Sequence, residues 1–165
     1  MDLLSEYLAL CWLGTDPMEL PRSTSLLKKS LFIYFIVYYL LQANMTDDPF
    51  ESLYEVVIQI ALSLLFIAVI LSLNKTLYIY VQVTTAILFS ANFIAMFLVP
   101  VMVWLTVSED PWSYYIFSLL ILWYYAVVCY MFKYSLLINT PASLVMGFLY
   151  FLTTYLGAFA LGQML

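Results

Sequence analysis

Few residues in this chain could do chemistry, and those few sit inside stretches that are otherwise apolar. Glu55 and Gln59 are one helical turn apart in SLYEVVIQIAL, so on a helix they share a face. A carboxyl within an apolar span is a functional candidate by default, as a proton carrier or a pathway-lining group. The competing reading places Glu55 about two residues inside the outer end of its span, at the level of interfacial water. Further along, Gln82, Thr84, Thr85, Ser90 and Asn92 form the most polar apolar stretch of the chain. Groups of this kind join helices by hydrogen bonds across an interface, or they line a polar path. Asn92 stands out because its amide is the hardest to leave unpaired in lipid.

Much chemistry is excluded by what the sequence lacks. It has no histidine, which removes the usual ligand for haem, copper or zinc and the usual general base near neutral pH. Its two cysteines, Cys11 and Cys129, make no C-x-x-C pair and read as small packing residues. No P-loop, GxSxG, HExxH or paired acidic metal pattern occurs. The expectation is a protein that is not an enzyme and needs no cofactor or metal. With 10 Asp+Glu against 5 Lys+Arg and a pI near 4.3, it also lacks the basic surface that nucleic acid requires.

These side chains must be positioned by helices in a membrane. Of the 165 residues, 66% are hydrophobic and only 9% charged, with mean hydropathy +1.02. That leaves too few charges to cover a water-facing surface, so most of the exterior must face lipid. The stretch Thr76–Val107 has no charge in 32 residues. The spacing predicts an all-α, polytopic bundle of five spans at about 25–42, 53–73, 76–99, 111–133 and 140–162. Residues 1–24 form a separate cytoplasmic segment and 25–165 the transmembrane domain. A straight helix over Thr76–Val107 would extend about 48 Å, beyond a hydrocarbon core of roughly 30 Å. Pro100 removes a backbone donor, so a kink is expected there, with Val101–Val107 redirected along the interface and Trp104 as anchor.

Residues 2–13 are too short to cross the core and carry apolar residues on one side. They predict a helix stopped by Gly14, lying in the interface with Tyr7 and Trp12 at headgroup depth; packing against the bundle's cytoplasmic end is the alternative. Acidic residues stand where a cleavable signal would be positive, so insertion is expected to rely on the internal spans. With five spans, Arg22, Lys28, Lys29, Lys75 and Lys133 share one side, and Asp47, Asp48, Glu51, Glu109 and Asp110 the other. The positive-inside rule then makes the N-terminus cytoplasmic and the C-terminus external, in a bacterial inner membrane. Asn44–Met45–Thr46 and Asn74–Lys75–Thr76 match the glycosylation sequon but hug the membrane and read as chance.

The chain has 15 tyrosines. Those at mid-span, Tyr124 and Tyr125, need partners for their hydroxyls, so their faces look into the bundle or toward another protein. Small residues of the fifth span (Ala142, Gly147, Gly157, Ala158, Gly162) permit close helix contact.

Two patterns carry a resemblance. The opening, with Leu10–Cys11 and then Asp16–Pro17–Met18–Glu19–Leu20–Pro21–Arg22–Ser23, resembles a group of small proteobacterial inner-membrane proteins. From Leu20 to Gly162 the layout is similar to the Yip1 family: a short polar turn (Asn74–Lys75), a long third span with Pro100 near its outer end, a fourth span and a terminal apolar segment. That family's eukaryotic members carry an acidic-glycine-proline signature and a Gly–Tyr pair ahead of the proline, where this chain has Phe97, Leu98 and Val99. The resemblance implies a five-helix membrane protein that works through partners and has no enzymatic activity.

Three functions remain open on this reading. The first is a non-catalytic protein that binds or organises other membrane proteins, or copies of itself, within the lipid bilayer. The second is a small transporter or channel using Glu55, Gln59 and Asn92. The third is a lipid- or quinone-handling subunit, which requires a tyrosine-lined groove open to the bilayer.

Overall fold

The computed structural model describes residues 3–14, 16–43, 48–108 and 110–163, apart from the side chains of 3 and 4. The sequon at Asn44–Met45–Thr46 and the acidic positions Asp47 and Glu109 lie outside them. Every regular element among the described residues is helical. In chain order these are α1 (Leu3–Cys11), a 3₁₀ turn (Pro17–Glu19), α2 (Thr24–Ala43), α3 (Pro49–Leu73) and a second 3₁₀ turn (Leu77–Ile79). They continue with α4 (Tyr80–Val107), α5 (Pro111–Leu136), α6 (Thr140–Phe151), a π turn (Leu152–Leu156) and α7 (Gly157–Gly162). Five segments are long and apolar enough to cross a membrane: Thr24–Ala43, Pro49–Leu73, Leu77–Val107, Pro111–Leu136 and Thr140–Gly162.

One local device starts several of these elements. A short polar side chain accepts from the backbone while proline fills the first turn, where its missing N–H is an orphan anyway. Asp16 accepts from the Met18 N–H, Asp48 from Phe50, Asp110 from Trp112 and Asn139 from Ala142. The Asp48–Pro49 cap starts α3 four residues before the expected Leu53, because the charged first turn is helical too. Helix ends use left-handed residues at Leu13, Lys75 and Leu137. At α1 the Gly14 N–H returns to the Ala9 carbonyl (3.0 Å) and Leu13 N–H to Leu10 (2.8 Å). The helix therefore stops as expected, with Leu13 rather than Gly14 in the left-handed position.

α4 is the central helix, half of its apolar window being buried against 11% for α2. It packs between α2 and α5, while α3 pairs with α2 and the α6–α7 segment, and α6 with α5. The Asn74 amide reaches the Leu136 carbonyl (3.4 Å), and the Gln163 amide donates to the Glu51 carboxylate. Lys75 and Lys133 thus mark one end of the bundle and Asp48, Glu51 and Asp110 the other. Since lipid tails are as apolar as leucine, close packing and interhelical hydrogen bonds must hold these helices together. Rings do much of the packing: Phe66, Phe132 and Tyr150 meet pairwise at 5.6–6.0 Å.

Two expectations are corrected. The third span does not end near Val99: α4 continues unbroken through Pro100 to Val107, so Val101–Val107 is not a separate interfacial segment. Proline takes away only the N–H that would bond the Met96 carbonyl, and continued packing compensates. Met102, beyond the proline, is 4% exposed and lines an internal chamber with Phe117 and Leu120 of α5.

α1 takes the alternative, packing against the bundle, and Tyr7 faces inward rather than toward headgroups. Tyr7 is fully buried, its hydroxyl donating to the Pro21 carbonyl at 3.0 Å. The Trp123 indole N–H donates to the Cys11 carbonyl (2.9 Å), Trp12 packs on Trp123 (5.1 Å), and the Cys11 sulfur is 3.5 Å from the Ser90 hydroxyl. Ser90 and Trp123 lie near the middles of α4 and α5, so the far end of α1 is docked halfway along them. Burial, with Glu6 nearby, pushes the Tyr7 hydroxyl up to about 12, and burial pushes the Cys11 thiol up as well. A thiol with a raised pKa holds its proton at pH 8 and alkylates slowly. In a Cys129→Ser background, Trp123→Leu is expected to speed maleimide labelling of Cys11 roughly tenfold by releasing α1. Equal rates would show that Trp123 does not hold α1 in place.

Candidate functional site

Between α2, α3, α4, α5 and the π turn lies a chamber of about 260 Å³. Ile94, Leu98 and Met102 of α4, with Phe117, Leu120 and Ile121 of α5, make its apolar wall. Facing them are Tyr38 and Gln42 of α2, Gln59 of α3, Tyr124 of α5 and Tyr155 of the π turn. An apolar cavity with a few convergent polar groups is the usual form of a small-molecule site.

The polar wall is braced by separate side-chain contacts. The Gln59 amide donates to the Tyr34 hydroxyl at 2.8 Å, and the Tyr34 and Tyr38 rings stack at 3.9 Å. Tyr155 stands beside Tyr38 on this wall. Tyr150 shares a 2.7 Å hydrogen bond with Ser63. Toward the acidic end the Gln42 amide donates to the Glu55 carboxylate.

The sequence candidates divide. Gln59 lines the chamber, and Glu55 stands behind Gln42, one of its walls. Glu55 is 5% exposed and packs against Gly162, where a Cβ would come 2.7 Å from the Glu55 Cγ. Gln82 and Asn92 go elsewhere. The Gln82 amide donates to the Leu20 carbonyl (3.2 Å) and Asn92 to the Ser30 carbonyl (2.8 Å), so both tie the start of α2 to α4. Glu55, Gln59 and Asn92 therefore do not converge on one cavity. Pro100 touches neither wall of the chamber. Tyr124 turns inward at 3% exposure, and the Tyr125 hydroxyl bonds the Leu144 carbonyl (2.7 Å).

Tyr34, Tyr38, Gln42, Tyr150 and Tyr155 were missed. Tyr34, Tyr38 and Gln42 recur every four residues, a visible signal hidden by the many other tyrosines. Tyr150 and Tyr155 are five apart and would point about 140° away from each other on a regular helix. The π turn over Leu152–Leu156 adds the extra residue that brings both to the bundle interior.

The chamber approaches the bilayer side at one place. Leu41 and Met102 belong both to its wall and to an outer hollow between α2 and α4 formed with Val37, Leu40, Val99 and Val103. Among the described residues no group of three His, Cys, Asp or Glu side chains could hold a metal. Compared with known proteins, the chain matches no family model, no curated protein and no solved structure.

Proposed function

We propose that this protein binds a small lipophilic molecule of the quinone class within a bacterial inner membrane, without catalysing its conversion. The five spans, the number the Yip1 resemblance also implies, are read as N-terminus cytoplasmic from the basic and acidic ends of the bundle. The observation that carries the function is the chamber itself: hydroxyl and amide donors on one wall face a purely apolar wall. A quinone ring offers carbonyl oxygens to the first and a flat apolar face to the second, and its tail would leave past Leu41 and Met102.

A role in organising other membrane proteins rests on abundant tyrosine and small residues on the spans together with the lack of a catalytic constellation in the sequence. Tyr34, Tyr124 and Tyr150 are buried, and Tyr38 and Tyr155 line the chamber, which favours an internal ligand over a tyrosine-faced partner surface. A transporter reading loses support because Asn92 is apart from Glu55 and Gln59. Titrating the purified protein with decylubiquinone should quench its intrinsic fluorescence saturably at one molecule per chain. Linear, non-saturating quenching would mean partition into detergent only and would sink the proposal.

A further inference from the structure

Three hollows join end to end along α2 and α4. The chamber shares Leu41 and Met102 with the outer hollow, which in turn shares Val37 and Val99 with a groove of about 370 Å³. That groove descends past Ile33 and Met96 to Leu26, with the exposed Lys29 at its rim. The two helices stay in step along it. Gln82 bonds Leu20 and Asn92 bonds Ser30, both across 62 residues, and Val37 and Val99 keep that offset. Parallel helices in fixed register leave a seam between them rather than a single crossing point.

The seam offers an occupant hydrocarbon. Ser30 is buried, the Asn92 amide nitrogen donates to its carbonyl, and Asn92 Oδ1 is shut away from the groove. Its direction follows from where the chamber opens. Leu41 stands two residues before α2 ends at Ala43, at the acidic end of the bundle. An apolar tail that left there and carried on the same way would run out of helix within about 3 Å. Turned back, it meets about 22 Å of α2 between Leu41 and Leu26. Lipid is as apolar as these side chains, so the hydrophobic effect does not choose the groove. Tethering does: with the ring held in the chamber, the tail is kept at the groove's entrance at high effective concentration.

We propose that the groove holds the tail of a long-chain polyprenyl quinone whose ring occupies the chamber. The ring lies toward the acidic end, and the tail runs back between α2 and α4 toward Lys29. This assignment rests on the quinone reading of the chamber.

The test is photolabelling of the full chain in nanodiscs with a geranylgeranyl ubiquinone carrying a diazirine at the end of its tail. Peptide mass spectrometry should place the adducts around Ile33 and Met96, and excess decylubiquinone should suppress them. Ile33→Trp fills the groove about 12 Å of helix below Leu41. It should cut these adducts about tenfold by steric exclusion and leave quenching by decylubiquinone unchanged. Ile36→Trp adds the same bulk at an exposed position outside all three hollows and should change neither. Unaltered helical content and elution would show that both variants fold; should one misfold, the wild-type adduct map decides. Adducts scattered over the lipid-facing surface, adducts that decylubiquinone does not suppress, or labelling untouched by Ile33→Trp would each overturn the tail path while decylubiquinone still binds saturably. Loss of that saturable binding would instead sink the reading of the chamber, and the tail path with it.

Discussion

Gly147→Ala is expected to destabilise the protein by about 1–3 kcal/mol, and Cys129→Ala in the same chain to restore most of the loss. The reason is one contact between α6 and α5. A Cβ at Gly147 would stand 2.4 Å from the Cys129 sulfur, with the Tyr125 ring at 3.4 Å. Both cysteine and glycine are buried, so neither can swing aside without moving a helix. Overpacking of this kind is relieved only by separating α6 from α5, which would loosen the Phe151 ring from Tyr124 (5.2 Å) and Tyr125 (5.7 Å). Removing the sulfur makes the room that the methyl needs. Unfolding midpoints in mixed detergent micelles would read all four members of the cycle. Strict additivity of the two substitutions would show that the helices do not meet at this point.

Gln59→Leu should leave the fold intact and weaken decylubiquinone binding about tenfold, the equivalent of one buried hydrogen bond at about 1.4 kcal/mol. Leucine nearly conserves the volume, so the chamber keeps its shape. Because the buried Tyr34 hydroxyl loses the Gln59 amide, the substitution is combined with Tyr34→Phe, which removes the orphaned hydroxyl. A fall in affinity with an unchanged unfolding midpoint separates the loss of a ligand contact from damage to the bundle. Unchanged affinity would mean that the polar wall plays no part in binding.

Much of the architecture is legible from residue order alone. Asp16–Pro17 and Asp110–Pro111 announce turns and helix starts by chemistry confined to two or three residues, and both cap as read. Charge-free runs between them mark the five helices. What the sequence hides depends on partners far along the chain. A short amphipathic helix carrying Tyr7 and Trp12 has the composition of an interfacial element; only Ser90 and Trp123, brought close by the fold, turn it into a buried one. Pro100 reads as a break because proline breaks isolated helices, while in the bundle the flanking packing carries the helix across. The chamber is the extreme case. Its polar wall needs the π turn at Leu152–Leu156, and no propensity in LTTYL announces an additional residue per turn.

The docking of α1 also sets an order of assembly. Its two anchoring contacts span 79 and 112 residues of chain. At a synthesis rate of about 5–20 residues per second, Cys11 leaves the ribosome roughly 6–20 s before Trp123 exists. α1 must therefore wait while four further helices are made. Its seat on α4 and α5 is filled late, by a segment synthesised well before them.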